Sequence, residues 1–202
     1  MVIEADAPER AEFPAGFTVV FAGNLGSAQA LGTAIEAAAL LRDEGVQWVF
    51  IGDGNQRVTL EAQVQAQGLG GCVRFLGWRP GESMPRYLSL ASVLVVSLRR
   101  DESFASTVPA KVQSSLAVGR PILGALEGEG ARIVRESGAG LVVEQENAEA
   151  LAAGVRRLAA MDPAERDEMG RRGRAYALTH FDRDTLVAQL DGWLRAIVEE
   201  TR

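Results

Sequence analysis

Residues 17–54 read FTVVFAGNLGSAQALGTAIEAAALLRDEGVQWVFIGDG, and they show the pattern from which the fold class can be predicted. An apolar, β-prone run at Thr18–Ala22 leads through a glycine loop into a long amphipathic run. A second apolar run, Val46–Ile51, ends in another glycine loop. Short buried strands that alternate with amphipathic helices are typical of βα units, in which a parallel sheet lies between two helix layers. The stretch therefore predicts a doubly wound α/β domain.

The same alternation continues to Val143. It predicts a parallel sheet of about six strands, and their apolar character fits strands that are buried on both faces. The predicted strands are Thr18–Ala22, Val46–Ile51, Val73–Leu76, Val93–Leu98, Pro121–Ala125 and Gly140–Val143. The predicted helices between them are Ala28–Glu44, Gln56–Gln67, Ser83–Ala91, Lys111–Val118 and Glu129–Glu136.

Beyond the last strand the pattern becomes purely helical. Three extra C-terminal helices are predicted, at Ala148–Met161, Pro163–Thr179 and Asp182–Glu200. The last one carries an apolar stripe, which must be covered by this domain or by something outside it. The stripe consists of Leu186, Leu190, Trp193, Leu194 and Ile197.

Length and charge limit the classes of function. The 202 residues suit one domain, and the 47% of hydrophobic residues suit a packed core. The formal net charge is -6 and the pI is about 5.0, so the chain has no general basic field and nucleic acid is a poor candidate partner. No apolar run approaches the roughly 18 residues that a membrane span needs, so any membrane association is expected to be peripheral.

The cysteine count and the N-terminus indicate where the chain works. Cys72 is the one cysteine, which excludes an internal disulfide and fits a reducing compartment, so the cytoplasm is the expected location. Residues 1–16 are acidic, contain Pro8 and Pro14, and lack the basic and apolar regions of a signal peptide. We expect a linker over residues 1–16 and one domain over residues 17–202.

The loops after the predicted strands are the places where an open parallel sheet binds ligands at helix N-termini. Gly23-Asn24-Leu25-Gly26 follows the first strand, where the glycines either admit an anion or form a tight turn. Gly52-Asp53-Gly54 follows the second strand. This segment either forms a turn and a helix cap or, together with the nearby Arg57, contacts a diphosphate.

The later loops add apolar, hydroxyl and basic groups. Gly77-Trp78-Arg79-Pro80 suits a nucleotide base, although Trp78 also fits a partly buried aromatic. The loop after the fourth strand suits phosphate and sugar oxygens, or an N-capped helix with a solvated lysine. Its polar and capping residues are Ser106, Thr107, Pro109 and Lys111. Residues 127–131 open the next helix. Either their backbone N–H groups contact a ligand, or the segment only forms a turn.

Several short motifs occur in this order along the chain. They are residues 21–26 with Gln29, residues 51–54 with Arg57, residues 73–77, Met84-Pro85 with Tyr87-Leu88, residues 107–111 and residues 117–121. From Phe17 to about Glu200 the chain resembles the C-terminal, donor-binding domain of GT-B glycosyltransferases, which is Rossmann-like. Within that class it resembles the glycosyltransferase 4 family (group 1), and its fucosamine-transferase-like branch in particular.

The resemblance implies a retaining transferase that uses a nucleoside diphosphate sugar, with UDP favoured, in surface polysaccharide biosynthesis. The nucleotide sugar is the implied partner, and no metal or other cofactor is implied. In such enzymes an N-terminal domain, absent here, holds the glycan or lipid-linked acceptor. Lys111 and Arg57 are the implied catalytic residues, because they would offset the charge of the diphosphate. The implied donor-binding residues are Gly23, Asn24, Gly26, Asp53, Gly54, Gly77, Trp78, Arg79, Ser106, Thr107, Pro109, Ser114, Glu129, Gly130 and Ala131.

Two sets of positions depart from the family pattern. Asn24 and Gln29 stand where many members carry Arg and Lys, which shifts the positive charge to the two implied catalytic residues. Ser106 and Ser114 stand where the family has paired glutamates eight positions apart, so the resemblance gives no carboxylate contact to ribose or sugar there. We interpret both replacements as variation of the fucosamine-transferase-like branch.

Other functions fit the architecture less well. A nucleotide-sugar 2-epimerase-like protein would need a second domain and acid/base carboxylates that the sequence does not identify. A flavodoxin- or receiver-type interaction domain would need a flavin-phosphate loop or an acidic phosphoacceptor cluster, and an NAD-dependent enzyme would need a different glycine spacing after the first strand. His180, the one histidine, is assigned to a cap or to packing.

Overall fold

The structure is a computed structural model that describes residues 7–200, with side chains described for residues 7–198. The described residues contain one six-stranded parallel sheet. The strands are β1 (Phe17–Ala22), β2 (Val46–Ile51), β3 (Val73–Gly77), β4 (Val93–Ser97), β5 (Ile122–Ala125) and β6 (Gly140–Val143). Their order across the sheet is β3, β2, β1, β4, β5, β6, and each neighbouring pair is parallel. The predicted doubly wound α/β fold is confirmed.

Helices connect the strands and extend beyond the last one. Within the described residues, the α-helices that precede or follow the first three strands are α1 (Pro8–Glu12), α2 (Leu31–Leu40), α3 (Arg57–Ala66) and α4 (Met84–Ser89). Those that follow the last three strands are α5 (Glu102–Ala105), α6 (Ala110–Val118), α7 (Gly128–Glu136), α8 (Ala148–Ala160), α9 (Pro163–His180) and α10 (Arg183–Glu200). Short 3-10 helices occur at Ser27–Gln29 and Gly81–Ser83.

Apolar side chains fill both faces of the sheet. Successive residues of a strand point to opposite faces, so Val19 and Val20 belong to different core clusters. One cluster packs α2, α3 and α8 on the face that carries Phe21, Trp48 and Phe50. The other two clusters pack α4, α6 and α7 on the opposite face. Burial on both faces explains why the strand sequences are nearly continuous apolar runs.

The strand order reverses between β1 and β4. The chain builds outward from β1 to β3 and then returns to the other side of β1. At such a reversal the connections leave in opposite directions and open a crevice at the carboxyl edge of the sheet. Here the crevice lies between the loop that carries Gly23 and the segment that carries Lys111.

The helix predicted over Ala28–Glu44 begins later than expected. Ser27–Gln29 forms a 3-10 turn, and Ala30 follows with left-handed backbone (φ 47°) before α2 starts at Leu31. A left-handed alanine is strained by roughly 1–2 kcal/mol. The apolar periodicity of the segment gives no sign of this break. Gln29, at the end of the 3-10 turn, is buried.

Part of the expected linker is helical and packed. α1 begins with proline, which suits a first turn because the N–H there has no helical partner. Glu9 is only 4% exposed, and its Oε1 lies 2.8 Å from Nε of Arg86 on α4. The rings of Phe13 and Tyr87 lie 6.3 Å apart between centroids. Residues 1–6 of the expected linker lie outside the described residues.

The apolar stripe of α10 faces solvent. Its members Leu186, Leu190, Trp193, Leu194 and Ile197 are each at least 44% exposed. The described part of the domain therefore does not cover this stripe. None of the described helices is both long enough and apolar enough to cross a membrane.

Gly170→Ala is expected to destabilise the fold where α9 crosses α6. A Cβ on Gly170 would lie 2.1 Å from the carbonyl oxygen of Gly119, and backbone cannot give way cheaply. We expect the free energy of unfolding in urea to fall by about 2–3 kcal/mol. Gly192→Ala is the control, since a Cβ there would meet open space. A wild-type midpoint for Gly170→Ala would contradict this close crossing.

Candidate functional site

Three glycines line the carboxyl edge where β1, β2 and β3 end. Gly23, Gly52 and Gly77 all have positive φ, at 132°, 132° and 73°. The N–H of Gly23 donates to the carbonyl of Ile51 at 2.8 Å, and the N–H of Gly52 donates to the carbonyl of Gly77 at 2.9 Å. A Cβ on Gly52 would lie 2.0 Å from the carbonyl oxygen of Gly23. We call these three residues the glycine row, because only glycine allows this approach.

The loops after β1 and β2 form one unit. The N–H of Leu25 donates to the carbonyl of Asp53 at 2.8 Å, which ties the two loops together. The amide of Asn24 packs over two further glycines. A Cβ on Gly26 would lie 2.6 Å from its Nδ2, and a Cβ on Gly54 would lie 2.6 Å from its Oδ1. The structure thus brings together the residues predicted from both loops.

Lys111 extends from α6 across the crevice onto the glycine row. Its Cε would lie 2.7 Å from a Cβ on Gly23, so the lysine stem occupies the place where another residue would have a side chain. Its Nζ donates to Oε1 of Gln29 at 2.7 Å and lies 5.0 Å from the centroid of the Phe21 ring. A neutral amide and an aromatic face therefore hold the ammonium group.

The charge of Lys111 is not neutralised by a carboxylate. No ion pair of Lys111 occurs among the described residues, and burial lowers the pKa of its amine. Its partner Gln29 accepts a hydrogen bond but brings no negative charge. Lys111 is also the one lysine among the chain's 21 basic residues. The site thus contains a half-buried cation that an anion can still compensate.

Arg57 lies at the other end of the glycine row, and unlike Lys111 it has carboxylate partners. A Cβ on Gly77 would lie 3.4 Å from its Nη1. Its Nε lies 2.8 Å from Oε1 of Glu61, and its Nη1 lies 3.3 Å from Oδ2 of Asp53. The hydrogen bond that Arg57 donates to Glu61 is the main reason that the pKa of Arg57 is raised. The two predicted cations thus lie at the same edge of the sheet, one against Gly23 and the other near Gly77, but Arg57 already has carboxylate partners.

A cleft of about 470 Å³ opens beside the glycine row. Apolar groups of Ile51, Met84 and Leu88 line it and suit the face of a nucleotide base. Predicted site residues line it as well, namely Gly23, Asn24, Asp53, Trp78, Arg79 and Ser114. Trp78 is 68% exposed rather than packed in the core, which leaves its ring free to contact a ligand.

Gly26, Gly54, Gly77, Arg57 and Lys111 lie near this cleft without lining it. The other predicted residues lie beyond β4 and β5 and do not line it either. Pro109 packs on Gly130, where an added Cβ would lie 2.9 Å from the proline Cδ. The hydroxyl of Thr107 donates to the carbonyl of Phe104 at 3.2 Å, and Ser106 is exposed at the end of α5.

The start of α7 offers backbone rather than side chains. Gly130 and Ala131 are buried, and the carboxylate of Glu129 lies 2.7 Å from Nη2 of Arg132. The cap residue Glu127 gives α7 no side-chain hydrogen bond, so its first N–H groups remain for an anion. The same holds for α6, which Pro109 precedes without a side-chain cap.

Sequence reasoning missed two structural partners of the predicted site. Gln29 was noted in a motif and as a departure from the family pattern but was not assigned to the site, yet it accepts a hydrogen bond from the lysine amine. Glu12 lay in the expected linker, yet its carboxylate accepts hydrogen bonds from Arg79 and Tyr87. Neither contact has a local sequence signal, because each joins residues more than 60 positions apart.

The fold is that of GT-B glycosyltransferases. The crystal structure of HepE (Alr3699) from Anabaena in complex with UDP matches with a TM-score of 0.79, over 90% of this chain and 49% of that chain, at 19% identity. Sucrose-phosphate synthase from Thermosynechococcus elongatus matches with a TM-score of 0.81, over 98% of this chain and 49% of that chain, at 26% identity.

A family model described as Glycosyl transferases group 1 matches residues 16–161, and the chain belongs to this family. The amylovoran biosynthesis glycosyltransferase AmsK of Erwinia amylovora is 29% identical over 63% of this chain and 32% of the relative. The putative colanic acid biosynthesis glycosyl transferase WcaI of Escherichia coli (strain K12) is 31% identical over 68% of this chain and 34% of the relative. The chain thus spans about a third of the length of these relatives. The family match favours a transferase over the flavodoxin, receiver and NAD-enzyme alternatives.

Lys111→Met is expected to leave the folded chain at least as stable as wild type at pH 7. Burial lowers the pKa of this amine, so the folded state disfavours its charge. That cost is fully present below the folded pKa and disappears as the pH rises from the folded pKa toward the unfolded value. Urea denaturation should therefore show a difference that shrinks at alkaline pH. A clear loss of stability at pH 7 would mean that the lysine is a structural residue.

Proposed function

We propose that this chain is the nucleotide-sugar-binding domain of a retaining glycosyltransferase. It would transfer a sugar from a nucleoside diphosphate sugar, with UDP favoured, to a glycan or lipid-linked acceptor in surface polysaccharide biosynthesis. The observation that carries the proposal is the uncompensated ammonium of Lys111 on the glycine row. UDP in the Anabaena neighbour and the polysaccharide functions named for the two relatives support it.

The proposed chemistry needs positive charge at the leaving group. When the bond between the sugar and the diphosphate breaks, negative charge grows on the diphosphate oxygens, and groups already oriented toward that place lower the barrier. The N–H groups of Gly23 and Leu25 already donate hydrogen bonds to backbone carbonyls of the fold, so they are not the principal donors to the diphosphate. Lys111 and the open N-termini of α6 and α7 supply the stabilisation in this scheme. Arg57 would contribute less, because Glu61 and Asp53 already balance its charge.

The cleft beside the glycine row is the proposed site for the nucleoside. Its apolar lining from Ile51, Met84 and Leu88 would pack against the base, and the diphosphate would extend from there toward Lys111. Gly23 and Asn24 lie between these two regions. The loop with Ser106 and Thr107 and the start of α7 lie farther along the same edge, where the sugar would lie.

Transfer itself is proposed to require a second domain that presents the acceptor. This chain covers 49% of the Anabaena chain and about a third of the two curated relatives. We therefore expect nucleotide binding by this chain, and no sugar transfer by it alone. The fucosamine-transferase-like branch, a cytoplasmic location and peripheral membrane association of the complete enzyme remain part of the proposal, and they rest on the sequence arguments.

Calorimetric titration with UDP, GDP and ADP tests the proposal. We expect UDP to bind, and Lys111→Ala to weaken it about 30-fold because a charge-assisted contact is lost. Arg57→Ala should weaken UDP binding only about threefold, since its charge is already paired. Arg156→Ala removes a cation whose partner Glu44 precedes β2 at the opposite edge, and it should bind like wild type. If none of the three nucleotides binds at millimolar concentration, the proposed function fails.

A further inference from the structure

The N-terminal helix α1 contacts a residue that lines the cleft. Arg79 lines the cleft, and its Nη2 donates to the carboxylate of Glu12 at the end of α1. The hydroxyl of Tyr87 donates to the same carboxylate and also accepts from Nε of Arg79 at 2.9 Å. Glu12, Tyr87 and Arg79 thus form a closed triad, although Glu12 and Arg79 lie 67 positions apart in sequence.

The triad fixes the guanidinium of Arg79 in one orientation. Its Nη1 donates to the carbonyl of Trp78 at 3.1 Å, and its carbon lies 5.6 Å from the centroid of the Tyr87 ring. Three of the five guanidinium N–H groups therefore have partners, which leaves one on each terminal nitrogen. An arginine side chain otherwise samples many rotamers, so this fixation removes an entropic cost from any contact with a ligand.

The electrostatics separate Arg79 from Lys111. The pKa of Glu12 is lowered because the hydrogen bonds from Tyr87 and Arg79 outweigh the opposing effect of burial. The hydrogen bond that Arg79 donates to Glu12 is also the main reason that the pKa of Arg79 is raised. The pair is therefore charged on both sides and neutral in sum. Arg79 is better suited to donate directed hydrogen bonds to a base than to attract a diphosphate.

We propose that Glu12 is a positioning residue for nucleotide recognition, which holds Arg79 so that its two remaining N–H groups meet a base with a carbonyl edge. A carbonyl oxygen of uracil has two lone pairs and can accept from both N–H groups, whereas adenine places a donor amino group beside the ring-nitrogen acceptor on its Watson–Crick and Hoogsteen edges. The triad thus favours a uridine over an adenosine nucleotide. This inference rests on the proposed function, because it assigns a selectivity to the same cleft.

Competitive titration with UDP and ADP tests this role in the full chain. Glu12→Ala removes the carboxylate and should weaken UDP binding about 5- to 10-fold, while ADP binding changes by less than about twofold. Tyr87→Phe keeps the ring and removes the shared hydroxyl, and it should shift the UDP-to-ADP ratio in the same direction by a smaller factor. Glu44→Ala is the matched control, since it removes the carboxylate partner of Arg156 at the opposite edge of the sheet.

The outcomes distinguish the two proposals. A lower UDP-to-ADP ratio in Glu12→Ala and Tyr87→Phe, with wild-type selectivity in Glu44→Ala and a melting temperature close to that of wild type, supports the positioning role. Equal losses for UDP and ADP, or an unchanged ratio, overturn it and leave the proposed function intact. If the wild-type chain binds neither nucleotide, both proposals fail.

Discussion

The site depends on the close approach of three strand ends at the glycine row. The carbonyl oxygen of Gly23 occupies the space that a Cβ on Gly52 would need, at 2.0 Å. Because neither residue has a side chain, the loops after β1 and β2 can lie against each other and hydrogen-bond through their backbones. The same lack of a side chain on Gly23 lets the stem of Lys111 lie directly on the strand end. The ammonium group of Lys111 reaches the crevice because Gly23 has no side chain to block the lysine stem.

The two cations of this edge have different electrostatic states. Lys111 is held by the neutral amide of Gln29, and burial disfavours its charge. Arg57 is balanced by Glu61 and Asp53, so its charge is largely used within the fold. An incoming dianion would relieve an unfavourable state at Lys111 but would have to compete with carboxylates at Arg57. The sequence reasoning gave the two cations equal weight, and the contacts rank them.

Much of the fold could be predicted because each β-strand carries a local signal. The strand boundaries agree with the predicted ones to within one residue, since strands buried on both faces are continuous apolar runs closed by glycine or polar loops. The break at Ala30 and the short α5 could not be predicted in this way. Left-handed backbone at one alanine and a four-residue helix leave no periodicity to read.

The sequence predicts which loops form the candidate site, but not which side chains contact each other there. Strand order places the loops with Gly23, Asp53 and Lys111 at one edge, so their grouping follows from the fold class. The contacts of Gln29 with Lys111 and of Glu12 with Arg79 join distant segments, and they depend on the packing of a 3-10 turn and of a helix within an expected linker. Such contacts require coordinates.

Whether Lys111 faces a bound diphosphate can be measured at this residue alone, because Lys111 is the one lysine of the chain. Acetylation by an amine-reactive ester, followed by mass spectrometry of the peptide that contains this lysine, reports on the site alone, and the N-terminal amine serves as an internal reference. If Lys111 faces a bound diphosphate, saturating UDP should slow its acetylation at least about tenfold, whereas uridine without phosphates should protect it much less. Equal acetylation rates at Lys111 with and without saturating UDP would show that the lysine does not contact the diphosphate.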